Sequence, residues 1–319
     1  MRGSQLDACP ACEGQLDPWI SAPPAEPGAG GRISLRRCRS CGTAVTEPGA
    51  GTGGDLHQTG AYGAVRPRLA CVAAPLLRVF DHQRLGLLRR ALDVEPGPRA
   101  LRLLDVGAGR GRFVATARSA GLRAEGIEPT TRGVAAALAI GVELRQERIE
   151  EAEVAEGSLD AVTAWHVLEH VEDPGVAVAQ MARWIRPGGV LLIGVPNLAS
   201  AQARWSGERW YHLDLPRHRT HFTPAGLSAL VTARGLSPIH VHHVLLEHNS
   251  FGMWQSLVNY GTATPSYLYN LLKRNARLSP RDLLVTGLAL PLAPAAAALE
   301  LGAALARRGG TIALSARRP

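Results

Sequence analysis

The chain has 319 residues, 46% of them hydrophobic, enough for one large domain and one small one around buried cores. Its formal net charge is +8, carried almost wholly by arginine, which permits nucleic acid, anionic lipid or phosphorylated partners without choosing among them. Met1 to Leu16 is polar and holds no apolar stretch of signal-peptide length, so the expected compartment is the cytoplasm; disulfides are then disfavoured, and the five cysteines read as metal ligands or buried thiols.

Residues 1–60 are rich in Gly and Pro and carry four of the five cysteines. Cys9-Pro10-Ala11-Cys12 and Cys38-Arg39-Ser40-Cys41 are paired CxxC motifs, each followed within two residues by glycine. A two-residue gap turns both thiolates of a pair toward one ion, and two such knuckles complete a tetrahedral S₄ site. The competing reading is a set of disulfides or redox dithiols. Four ligands leave no open position, so a zinc ion here is expected to be structural, and a ribbon this small needs it to fold. Residues 1–60 are therefore read as a zinc ribbon and linker.

From residue 61 to 93 apolar positions such as Leu69, Val72, Leu76, Phe80, Leu85 and Leu88 recur at helical spacing, until Glu95-Pro96-Gly97-Pro98 breaks the pattern. Cys71, among apolar neighbours, reads as core. Short apolar runs then alternate with helical segments, the pattern of a parallel α/β sheet. The strands are expected at Leu101–Val106, Ala124–Glu128, Glu143–Arg145, Ala161–Trp165, Val190–Val195 and Ile239–Val244. The helices between them are expected at Arg112–Ala120, Arg132–Ala139, Pro174–Ile185 and Pro224–Arg234.

Leu103-Leu104-Asp105-Val106-Gly107-Ala108-Gly109-Arg110-Gly111 follows the first of these strands and opens a helix. Glycines there let a ligand approach the backbone, and the helix start presents free N–H groups. Glu128, at the tip of the next strand, is placed to accept from two ribose hydroxyls, as with any adenosine-bearing cofactor. Further on come Ser158-Leu159-Asp160-Ala161-Val162, Trp165-His166-Val167-Leu168-Glu169-His170-Val171, Arg186-Pro187-Gly188-Gly189 and Val195-Pro196-Asn197. Taken together, in order and spacing, these stretches closely resemble the class I S-adenosylmethionine-dependent methyltransferases, in particular the group holding the ubiquinone-biosynthesis O-methyltransferases and glycan- and lipid-modifying relatives. The resemblance covers Leu101 to Val195 and extends weakly to Val244.

It implies a Rossmann-like α/β domain with a seven-stranded sheet whose last strand runs antiparallel. That domain is expected over residues 61–244, completed by a last strand at 311–319. The cofactor would be S-adenosylmethionine: Asp105, Gly107, Ala108, Gly109 and Gly111 at its methionine moiety, Glu128 at the ribose, Ile149 and Glu150 at the adenine, and Trp165 at the end of the fourth strand.

Methyl transfer to a hydroxyl needs an aligned acceptor and a base for its proton, and histidine suits that role near neutral pH. His166 and His170 follow the fourth strand; each is a candidate base, His170 equally a structural cap. A second cluster runs from Trp210 to Thr223, where this fold usually builds its substrate cover. It offers His218 or His221 as base and Asp214 as orienter, or else a salt-bridged surface loop.

Residues 245–310 form an insertion between the last two expected strands, with an uncharged stretch over Leu283–Leu299 that is short for a membrane span and interrupted by Pro291 and Pro294. One reading is a helical hairpin in the membrane interface through residues 283–306, with Lys273, Arg274, Arg277, Arg281, Arg307 and Arg308 toward headgroups. The other is a helix pair buried on the sheet or in a dimer. The leading function is O-methylation of a small-molecule, sugar or lipid-linked acceptor. The alternatives are a zinc-ribbon RNA methyltransferase, against which no Asn-Pro-Pro-Tyr-type motif follows the fourth strand, and a non-catalytic adapter, against which the glycine loop and Glu128 are intact.

Overall fold

The computed structural model describes residues 8–25, 30–47, 70–93, 100–247, 249–273 and 275–319, the side chains of 70–74 excepted. The helix breaker at 95–98, Leu69, Arg274 and the side chains of Cys71 and Val72 lie outside the described residues. In chain order the elements begin with β1 (Leu16–Ala22), β2 (Ile33–Cys38), β3 (Ala44–Thr46), α1 (Ala70–Leu92), β4 (Arg102–Val106), α2 (Arg112–Ser119), β5 (Arg123–Ile127) and α3 (Thr131–Leu138). There follow β6 (Leu159–Trp165), α4 (Pro174–Trp184), β7 (Ile185–Pro196), α5 (Ala201–Ser206), β8 (Thr220–His221), α6 (Pro224–Ala233) and β9 (Ser237–His242). The chain ends with α7 (Asn249–Val258), α8 (Tyr267–Leu272), α9 (Pro280–Ala289), α10 (Ala293–Leu305) and β10 (Thr311–Arg317). They form two compact units. Of the described residues, one holds those within 75–195, 224–242 and 313–319, and the other those within 1–74, 196–223 and 243–312.

The first unit is built on a six-stranded sheet of order β5-β4-β6-β7-β10-β9. β4 pairs in parallel with β5 and β6, and β6 with β7. β10 runs antiparallel to β9. It is also antiparallel to β7, since Gly188 N–H donates to the Arg318 carbonyl while Asn197 N–H donates to the Gly310 carbonyl. The central strands are covered on both faces, so β6 and the Val190–Val195 run of β7 are buried almost without a break, as their unbroken apolar sequences require. Among the described residues six strands form this sheet where seven were expected. Glu143–Arg145 at the open edge is reduced to one parallel bridge between Ile127 and Arg145. Leu144 still packs toward β5 beside Gly126, so apolar packing survives there although the ladder does not extend.

Helix starts follow the sequence signals. Asp173 caps α4, accepting from Gly175 N–H at 2.8 Å and Val176 N–H at 3.0 Å ahead of Pro174. Thr130 caps α3, accepting from Gly133 N–H at 3.1 Å.

The second unit carries a four-stranded sheet of order β1-β2-β3-β8, antiparallel throughout. Its ribbon strands do not stand alone: Ala22, Leu35 and Ala44 share one apolar cluster with Leu198, Ala203, Trp210, Leu213 and Leu215. In place of a helical hairpin, α9 and α10 form one 26-residue helical run, Pro280–Leu305, joined by a 3-10 turn at Leu290–Leu292.

Candidate active site

In the six-stranded unit, Asp105 is the penultimate residue of β4 and is almost fully buried. Its carboxylate accepts from Arg84 of α1 and from the Thr163 hydroxyl of β6 at 2.8 Å. Burial pushes this carboxyl above the usual range, while Arg84 and Thr163 pull it back. The Arg84 guanidinium lies 3.7 Å from the centre of the Phe113 ring and 5.2 Å from that of Trp165, so α1, α2, β4 and β6 meet around one buried cation. Asp105 is therefore tied into the scaffold beneath the loop.

The glycine loop turns above it. Gly107 has φ 65°, and a Cβ there would lie 2.4 Å from Val167 Cγ2, so only glycine lets the loop meet the turn after β6. Ala108 N–H donates to the Ile127 carbonyl, and Gly109 N–H donates to Glu128 Oε2 at 2.9 Å. The other Glu128 oxygen accepts from Thr130 N–H at 3.1 Å and from the Thr130 hydroxyl at 2.5 Å. One acid at the tip of β5 thus faces the loop at the tip of β4, on the carboxyl side of the parallel strands where open α/β sheets bind ligands. Gly111 closes the loop as the N-cap of α2.

The turn after β6 carries the histidines. His166 takes a left-handed backbone (φ 54°), and its N–H donates to the Gly194 carbonyl at 2.9 Å. Its Nδ1 lies 3.0 Å from Oε1 of Glu169, a buried carboxylate that accepts only from the Nδ1–H tautomer. His170 closes the same turn, its N–H donating to the Val167 carbonyl. Trp165 lies flat over Gly194, where a Cβ would fall 2.5 Å from the ring. Ile149 is buried, whereas Glu150 is exposed and lies 3.9 Å from Arg148. The structure thus brings together Asp105, Gly107, Ala108, Gly109, Gly111, Glu128, Trp165 and His166.

Three contributors escaped the sequence reading. Arg84 stands 21 residues before the acid it binds, and Thr163 is one more small residue in an apolar strand. Glu169 stands between Leu168 and His170 in the stretch after the fourth strand; its signal is the three-residue spacing from His166.

In the second unit, Asp214 is held by Arg217, and its Oδ2 lies 3.8 Å from His218 Nε2. His218 donates from Nδ1 to the His212 carbonyl at 2.8 Å. His221 is buried in β8, its Nε2 3.0 Å from the Thr46 hydroxyl, which donates to the His218 carbonyl at 2.6 Å. Asp214 lines a cavity of about 500 Å³ with Trp210, Tyr211, Arg32 and Arg209; the two histidines do not.

The four cysteine sulfurs of that unit lie within 4.8 Å of one another, with 3.6 Å between Cys9 and Cys41 and 3.5 Å between Cys12 and Cys38. A tetrahedral zinc site with bonds of about 2.3 Å has sulfur–sulfur edges of about 3.8 Å, so the donor set fits that ion. A Cβ on Gly14 would lie 2.9 Å from Cys38 Sγ, so glycine is what lets the knuckles close. The Cys41 thiol is pulled down to about 4 by its hydrogen bond with Cys9, and the same bond together with burial pushes the Cys9 thiol up.

Residues 80–241 match a family described as a methyltransferase domain. The chain belongs to the methyltransferase family. That family, here of the class I S-adenosylmethionine-dependent kind, accounts for the strand order, the glycine loop and the acid facing it. The chain is similar to the ubiquinone biosynthesis O-methyltransferase of Xanthomonas oryzae pv. oryzae, with 31% identity over 166 residues, 48% of this chain and 68% of that relative. It is also similar to the one of Colwellia psychrerythraea, with 29% identity over 130 residues, 39% of this chain; it spans about half of that relative's length, 53%. A solved geranyl diphosphate methyltransferase in complex with SAM is 17% identical, with a TM-score of 0.48 over 84% of this chain and 93% of that chain.

Proposed function

We propose that this methyltransferase transfers a methyl group to a hydroxyl of a small-molecule, sugar or lipid-linked acceptor, with His166 as general base. The observation that carries this reading is the His166–Glu169 pair, mounted on the turn that packs against Gly107 of the loop. The O-methyltransferase names of the relatives support a hydroxyl acceptor.

S-adenosylmethionine supplies an electrophilic methyl group on a sulfonium when bound. The residues of the chain do the rest. The glycines from Gly107 to Gly111 let the methionine end approach the backbone closely, and Glu128 accepts from the ribose hydroxyls. Ile149 and Glu150 flank the adenine. Asp105 holds the loop through Arg84 and Thr163. Glu169 fixes the His166 tautomer so that Nε2 accepts the acceptor's proton as the new C–O bond forms, and it steadies the imidazolium that results. Catalysis is then mainly alignment plus one proton transfer. The four ribbon cysteines hold a structural zinc ion, which supplies fold stability and takes no part in chemistry.

The test incubates zinc-loaded protein with S-adenosylmethionine and a panel of phenolic, catecholic and sugar hydroxyl acceptors, measuring S-adenosylhomocysteine release. Turnover with a hydroxyl acceptor that collapses in His166→Ala supports the reading. Turnover only with amine, carbon or RNA acceptors contradicts it.

A further inference from the structure

The helical run Pro280–Leu305 is built inside out. A surface helix normally turns its apolar stripe to the core and its charges to water. Here Asp282 and Glu300, its only acids, are 1% and 2% exposed. Asp282 accepts from the N–H groups of Ala263 and Thr264, and Glu300 from Gly310 N–H at 2.7 Å and Gln202 Nε2 at 2.9 Å. Thr286, Ala296 and Ala304 share that inward face. The outward face presents Leu284, Leu288, Leu292 and Leu305 at 63%, 72%, 61% and 69% exposure. Contiguous apolar surface on this scale marks an interaction site.

The charges around it select the occupant. Between residues 273 and 308 the chain has six basic and two acidic residues. Both acids are buried, whereas Arg277 and Arg281 at one end and Arg307 and Arg308 at the other are exposed. Beside α10 an apolar groove of about 700 Å³ is lined by Trp205 of α5 and by Ala298, Leu299, Gly302 and Arg308. A tryptophan at an apolar surface with arginine at its rim is the arrangement of a protein lying at a headgroup boundary. A span across the bilayer would strip Asp282 and Glu300 of their partners, so this run can lie along a bilayer surface but not cross one.

We propose that α9 and α10 form a peripheral docking face for an anionic bilayer, with the leucines entering the acyl boundary and the flanking arginines meeting lipid phosphates. This goes beyond the methyl-transfer reading and does not depend on it.

The experiment sediments zinc-loaded full-length protein with phosphatidylcholine vesicles containing or lacking about a third phosphatidylglycerol. The proposal expects binding to the anionic vesicles, weakened by high salt. Leu288→Glu with Leu292→Glu lowers that binding by about tenfold or more, and Arg307→Glu with Arg308→Glu lowers it severalfold. Thermal melting and S-adenosylmethionine binding stay at the level of the unsubstituted chain, because these side chains point away from the protein. No sedimentation with anionic vesicles at low salt overturns the proposal. So does sedimentation indifferent to both pairs of substitutions. A dimer in analytical ultracentrifugation that Leu288→Glu dissolves, without vesicle binding, assigns the face to a second copy of the chain and equally overturns it.

Discussion

His166 Nδ1 lies 3.0 Å from Glu169 Oε1, within one turn at the end of β6. The buried carboxylate can only accept, so it fixes which nitrogen carries the proton and leaves Nε2 as the acceptor. His166→Ala is expected to lower kcat by about 10²- to 10⁴-fold, the range of a lost general base, with little change in cofactor affinity. Glu169→Gln keeps the shape but loses the charge and should lower kcat while shifting the pH–rate profile. Steady-state kinetics of both variants on the best acceptor check this.

Arg84 and Asp105 form a buried ion pair under the loop, with side chains 9% and 2% exposed. A buried pair contributes little net stability, yet removing one partner strands the other charge. Arg84→Ala is expected to cost about 3 to 5 kcal/mol, read by urea denaturation of the full chain. The double variant Arg84→Met with Asp105→Leu should recover part of that loss.

The ribbon and the Trp210–Thr223 segment are joined backbone to backbone. Ala44 pairs with His221 and Val45 with Thr220; Thr46 N–H donates to the Arg219 carbonyl, and the Thr223 hydroxyl to that of Cys41. Removing zinc with a strong chelator, or introducing Cys12→Ser, should loosen residues 210–223 along with the ribbon. Hydrogen exchange should show faster labelling of both segments, and slow labelling of β4 to β7 should persist.

Glu300 sits buried in α10, and burial raises its carboxyl from the ordinary 4.5 to about 7. An acid whose folded value lies above its unfolded one binds its proton more tightly in the folded state. Its contribution is therefore full below about pH 4.5 and is lost as pH rises through about 7, a difference of about 3 kcal/mol. Glu300→Gln should remove that dependence, so the gap in melting temperature between variant and parent grows from pH 5 to pH 8.

Much of this was legible in the sequence. Buried parallel strands read as unbroken apolar runs, which is why β4, β6 and β7 were found, and Asp173-Pro174 marked the start of α4. Glu143–Arg145 misled because three alternating residues at a sheet edge have one neighbour only, and the ladder stops after a single bridge. β8 has two residues and no period at all, so nothing in the sequence could pair it with the ribbon. The glycine loop and Glu128 were readable because backbone approach and ribose contact restrict residue type. The partners Arg84 and Thr163 were not, since a long side chain's reach depends on how helices pack. The stretch Leu283–Leu299 was plainly apolar, but which face it shows followed only from where Asp282 and Glu300 turn.

The most direct test titrates zinc-loaded protein with S-adenosylmethionine and S-adenosylhomocysteine in a calorimeter, beside Glu128→Ala. The account predicts saturable binding of one molecule per chain at roughly micromolar affinity, weakened by about 10- to 100-fold when the acid opposite Gly109 is removed. Absence of binding by the intact protein, or equal affinity in Glu128→Ala, contradicts it.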